Sequence, residues 1–83
     1  MLDNKIRESQ ICMKVSYNKL WKLLIDKNMK RTDLRDKIGM GSATLAKMGR
    51  NEPVSMDIII RICDYLSCDV GDIMEMIPEE KKI

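Results

Sequence analysis

Tyr17, Leu20, Trp21 and Leu24 recur at i, i+3, i+4 and i+7 with lysines between them, the spacing of one buried face on a helix. The pattern predicts a first helix capped by Ser16 and ending near Asn28. Leu34 and Ile38 lie one turn apart and are followed by Gly39, so a short second helix is expected over Thr32–Ile38, closed by a left-handed glycine. Met40 and Gly41 form a turn, and Leu45 and Met48 restart a third short helix from Ser42 that Gly49 ends. Asn51, Glu52 and Pro53 read as a loop, because Pro53 lacks an amide donor and pushes Glu52 into extended conformation. Ser55 then caps a fourth helix with Asp57 in its first turn.

The inward stripe of that fourth helix is Ile59, Ile62, Cys63 and Leu66. Ile58 and Ile60 widen it beyond one contact surface, so the helix is either nearly enveloped or has one side facing a partner. Asp69 predicts the cap of a fifth helix carrying Val70, Ile73, Met74 and Ile77, which Pro78 interrupts. Strand-like alternation is confined to Gln10–Val15. A lone strand cannot pair its ladder groups, which leaves a frayed terminus, the expected outcome, or pairing with another chain. Met13 is a second candidate translation start, in which case residues 1–12 are an upstream extension, and the sequence leaves both starts open. The expected organisation is an N-terminal extension over 1–14, one all-α domain over 15–77 and a charged tail over 78–83.

Eighty-three residues leave no room for a separate substrate domain. The sequence has no His, no Phe and only 4% aromatic residues, which removes the usual proton shuttle and commonest metal ligand and makes an RNA-stacking sheet a poor fit. No nucleophile–base pair or metal set can be assembled, so neither an enzyme nor a cofactor is expected. Cys12, Cys63 and Cys68 match no zinc spacing and are read as reduced thiols, with Cys63 buried in its helix. The eight methionines are core fillers or a soft interface. No apolar run approaches the roughly 18 residues of a membrane span, and the start lacks the build of a secretory signal, so a cytoplasmic protein is expected.

Charge is distributed unevenly. Residues 14–51 carry a local +7 and residues 52–83 a local −5, within a total of +2. One half can meet a polyanion while the other is repelled by it, or the charges form a solvated face. Two short helices joined through Gly39, Met40 and Gly41 inside the basic half, held rigid by apolar helices, suit a helix pushed into a DNA major groove. A generic short-helix bundle explains the same apolar spacing.

The run LRDKIGMGSATLAKM from Leu34 to Met48 resembles the helix-turn-helix of the Cro and phage-repressor family, the XRE-like transcriptional regulators. The loop at Pro53, the cap at Ser55, the stripe of the fourth helix and the stretch Asp69–Ile73 are similar to the last two helices of that five-helix, λ-repressor-like domain, so the likeness covers about residues 15–77. Arg31 stands where the family usually has Gln and Arg35 where it has Ala; Gly49 and Asn51 replace an acidic residue and a glycine. The resemblance implies that the third helix presents Ser42, Ala43, Ala46 and Lys47 to base edges, with Lys47 offering the strong guanine contact. It implies phosphate contacts from Lys30, Arg31, Arg50 and Asn51. For each of these residues a cap, helix propensity or plain solubility is the competing explanation. Tyr17 and Trp21 are read as core anchors rather than base stackers.

The expected function is a sequence-specific double-stranded DNA-binding transcriptional regulator, a repressor acting as a homodimer. Its dimer surface would be Ile58, Ile60 and Ile77, or strand pairing through Ile11–Val15. The second reading is an antitoxin or adaptor with a protein partner and secondary DNA binding, motivated by the thin readout set and the acidic residues Asp64, Asp69, Asp72 and Glu75.

Overall fold

A computed structural model of the chain describes residues 11–80; the expectations for residues 1–10 and for the end of the tail lie outside them. Four helices form within this span: α1 (Asn18–Asp26), α2 (Arg31–Ile38), α3 (Ser42–Gly49) and α4 (Met56–Leu66). Strand β1 (Ile11–Ser16) precedes them, and a single 3₁₀ turn (Val70–Asp72) leads to strand β2 (Glu75–Glu80).

The helix boundaries follow local chemistry. Asn28 adopts a left-handed φ of 56° after α1, a conformation Asn tolerates better than most residues. Gly39 closes α2 at φ 75°, ψ 35°. The Ser55 hydroxyl accepts the Ile58 amide at 3.3 Å and starts α4. At α1 the expected cap is displaced by one residue: Tyr17 occupies the cap position, while the Ser16 hydroxyl accepts the Asn18 amide at 3.3 Å.

The fifth helix does not form. Asp69 does act as a cap, accepting the Val70 amide at 2.9 Å, and Asp72 returns the bond to the Asp69 amide at 3.0 Å. The turn nevertheless lasts three residues. Gly71 weakens it, Pro78 forces Ile77 out of helical conformation, and Glu75, Glu79 and Glu80 would crowd the negative end of a helix dipole. Glu75–Glu80 instead pairs antiparallel with β1, in a register running from Ser16↔Glu75 to Ile11↔Glu80. Pro78 sits opposite Met13, a position open to proline because both strands are edges. The segment Ile11–Ser16 is therefore not frayed: its ladder partner is the far end of its own chain. The architecture is mostly helical with a two-stranded ribbon, not all-α with five helices.

The core collects Tyr17, Leu20 and Leu24 from α1, Leu34 from α2, Met48 from α3, and Ile59, Ile62 and Leu66 from α4. Val15, Met40 and Ile73 close it. Each buried aliphatic side chain contributes about 1.5–3 kcal/mol relative to exposure. The Leu20 amide donates to the Ile73 carbonyl at 3.2 Å, fastening the start of α1 to the 3₁₀ turn. Tyr17 is 1% exposed and its hydroxyl donates to the Glu52 carbonyl at 2.8 Å. Trp21 is half-buried against the same core. Cys63 is only half-buried in α4, and Cys12 and Cys68 are half-buried as well; all three are free thiols. Burial pushes the Cys63 and Cys68 thiols up from their ordinary values.

Candidate nucleic-acid interface

The α2–turn–α3 unit is fixed from both ends. The Met40 amide donates to the Arg35 carbonyl at 2.9 Å, wrapping the chain around the end of α2, and buried Met40 anchors the turn in the core. Arg61 of α4 donates to the Ile38 carbonyl at 3.3 Å and pairs with Asp57 at 2.9 Å, bracing the last turn of α2. The i,i+4 spacing of Asp57 and Arg61 is visible in the sequence, but the reach of Arg61 to Ile38 is a product of the fold. Gly41 is extended, and its carbonyl accepts the Leu45 amide at 3.1 Å, opening α3.

The two sides of α3 differ. Met48 is fully buried and Leu45 half-buried, whereas Ser42, Ala43, Ala46 and Lys47 are exposed along one side. At the base of the unit, Arg31 begins α2 with its guanidinium 3.8 Å over the Trp21 ring centroid. A Cβ on Gly49 would lie 3.7 Å from Arg31 Nη1, so this guanidinium also borders the last residue of α3. Arg50 follows directly, and Lys30 is exposed just before α2.

The remaining candidates carry duties within the protein. Asn51 has a left-handed φ of 58°, and its Oδ1 accepts the Tyr17 amide at 3.3 Å, tying the loop after α3 to the start of α1. Arg50 donates twice to the Glu52 carboxylate, at 2.8 and 3.3 Å; these bonds hold the Glu52 carboxyl below the usual carboxylate range. In the sequence Glu52 reads only as a loop residue, Arg35 only as a departure from the family pattern and Asp36 only as a charge. In the structure Arg35 pairs with Asp36 at 3.0 Å and donates to the Ser42 hydroxyl at 3.2 Å, linking α2 to the first residue of α3.

Residues 19–79 match the Cro/C1-type HTH DNA-binding domain family. The chain belongs to this family. A crystal structure of the transcriptional regulator VanUg is similar at 57% sequence identity and a TM-score of 0.79, covering 81% of this chain and 89% of that one. No curated protein matches. As a Cro/C1-type domain, the chain is a helix-turn-helix module for double-stranded DNA, of the transcriptional-regulator type. Among the described residues, no helix is long and apolar enough to cross a membrane.

Proposed function

We propose that this Cro/C1-type protein is a sequence-specific transcriptional regulator, a repressor that binds a palindromic operator as a homodimer. The supporting observation is the two-sided α3: its inner side is anchored by Met48 and Leu45 while Ser42, Ala43, Ala46 and Lys47 stand exposed together. Side chains so placed reach base edges when the helix lies in a major groove. Lys30, Arg31 and Arg50 flank the unit and supply phosphate contacts that fix its register; Asn51, engaged with Tyr17, contributes through the shape it gives the loop.

A single short recognition helix reads few base pairs, and a two-fold dimer doubles the site with half-sites roughly 34 Å apart. Met56, Ile60 and Val70 are exposed beside Ile59 and Cys63 along a groove of about 510 Å³. This is the surface that supports self-association, on the acidic half of the chain where DNA is repelled. In this role the protein needs no cofactor and acts in the compartment that holds the DNA.

Selection of bound duplexes from a random library, read with the mass of the complex, tests the proposal. Expected are one enriched inverted repeat and two protein chains per duplex. No enriched site, or a complex built on a second, unrelated protein, would favour an interaction module instead.

A further inference from the structure

The exposed side of α3 has little to read a base pair with: one hydroxyl at Ser42, two methyls at Ala43 and Ala46, and one ammonium at Lys47. The neighbouring helix holds a stronger reader in place. Arg35 lies in α2, and its side chain bridges to α3 while keeping 30% of its surface exposed. Its Nε donates to Asp36 Oδ1 at 3.0 Å and its Nη1 to Ser42 Oγ at 3.2 Å, which sets the guanidinium beside the first turn of α3. Two of its five N–H groups are thereby occupied, and the other three have no protein partner among the described residues.

Resting on the assignment of α3 as the recognition helix, we propose that Arg35 is a specificity-determining residue, reaching past the N-terminus of α3 to the O6 and N7 of a guanine. Paired N–H groups of a guanidinium match those two acceptors. The Asp36 carboxylate 3.0 Å away offsets part of the guanidinium charge, and pairing with an uncharged guanine edge depends on that charge less than a phosphate contact does. Ser42 and Asp36 also restrict the rotamers of a long side chain before DNA arrives, which lowers the entropy lost on contact.

The experiment repeats the duplex selection with the full chain as wild type, Arg35→Ala, Arg35→Lys and Ser42→Ala, each checked for native melting by circular dichroism. Wild type should enrich a guanine in each half-site. Arg35→Ala should lose that preference and bind the selected duplex about 5- to 150-fold more weakly, while an unrelated duplex is bound within about twofold of wild type. Arg35→Lys should keep general affinity without restoring the guanine, and Ser42→Ala, which removes a reader as well as a tether of Arg35, should weaken binding to the selected duplex while still favouring the guanine. An unchanged site with Arg35→Ala, or an equal loss on every duplex, overturns the inference. So does a Ser42→Ala profile identical to that of Arg35→Ala, since Arg35 would then only position α3. If wild type itself enriches no site, the assignment of α3 fails, and this outcome is distinct from the others.

Discussion

The guanidinium of Arg31 stacks over the indole of Trp21, with Cζ 3.8 Å from the ring centroid. The contact holds a positive charge at the start of α2 and beside Gly49 at the end of α3. On the proposed reading, a cation fixed there meets the backbone of a bound duplex rather than its bases. Arg31→Ala is therefore expected to weaken binding equally on all sequences and to reduce the slope of log affinity against log salt by about 1. Arg31→Lys should keep the slope. Anisotropy titrations across a salt series measure both.

Tyr17 joins the core to the loop after α3. Its hydroxyl donates to the Glu52 carbonyl and its amide is held by Asn51. Tyr17→Phe leaves the Glu52 carbonyl without this donor and should cost about 1–2 kcal/mol in urea unfolding. Burial pushes the Tyr17 phenol above its ordinary value. A raised value means that the folded state holds the proton more tightly than the unfolded chain does. The associated stability is complete below the ordinary phenol range and is lost as pH climbs through the elevated one. Unfolding midpoints measured on either side of that range should fall with rising pH for wild type, and fall less for Tyr17→Phe.

Two glycines of the helix-turn-helix should respond in opposite directions to alanine. Gly39 is left-handed, and a Cβ there would meet Arg61 Nη1 only at 3.9 Å, so the cost is in the backbone. Gly39→Ala should destabilise by about 1–2 kcal/mol. Gly49 has no such φ, and its Cβ would make ordinary contact with Arg31. Gly49→Ala should stabilise by about 0.4–1 kcal/mol by restricting the unfolded chain. Thermal melts of the two variants side by side check the contrast.

If Arg50 meets phosphate as proposed, Glu52 competes for it. Its carboxyl is held below the usual range by Arg50, so the pair persists at neutral pH. Glu52→Gln removes one negative charge and releases the guanidinium, and should raise affinity a few-fold on selected and unrelated duplexes alike, with a steeper salt dependence. Equal affinities for wild type and Glu52→Gln would show that Arg50 makes no phosphate contact.

The α2–turn–α3 unit was legible in the sequence because its signals are local: Leu34, Ile38, Leu45 and Met48 at helical spacing around a glycine that must be left-handed. The ribbon was not, since the ladder partner of Ile11 is Glu80 and nothing in the Gln10–Val15 alternation points to a segment so distant. The Asp69 cap signal was sound, yet a cap starts a helix without setting its length, and Pro78 with three glutamates favoured the extended alternative. In the candidate interface, exposure along α3 followed from periodicity, whereas the engagement of Asn51 with Tyr17, of Arg50 with Glu52 and of Arg35 with Ser42 depends on side chains brought together by the turns.

The central claim, that the outward side of α3 reads base pairs, is tested most directly by titrating Lys47→Ala against the selected duplex and an unrelated one at fixed salt. A loss of about 1–3 kcal/mol on the selected duplex, with little change on the unrelated one, is the predicted result. An equal loss on both, or none on either, would contradict it.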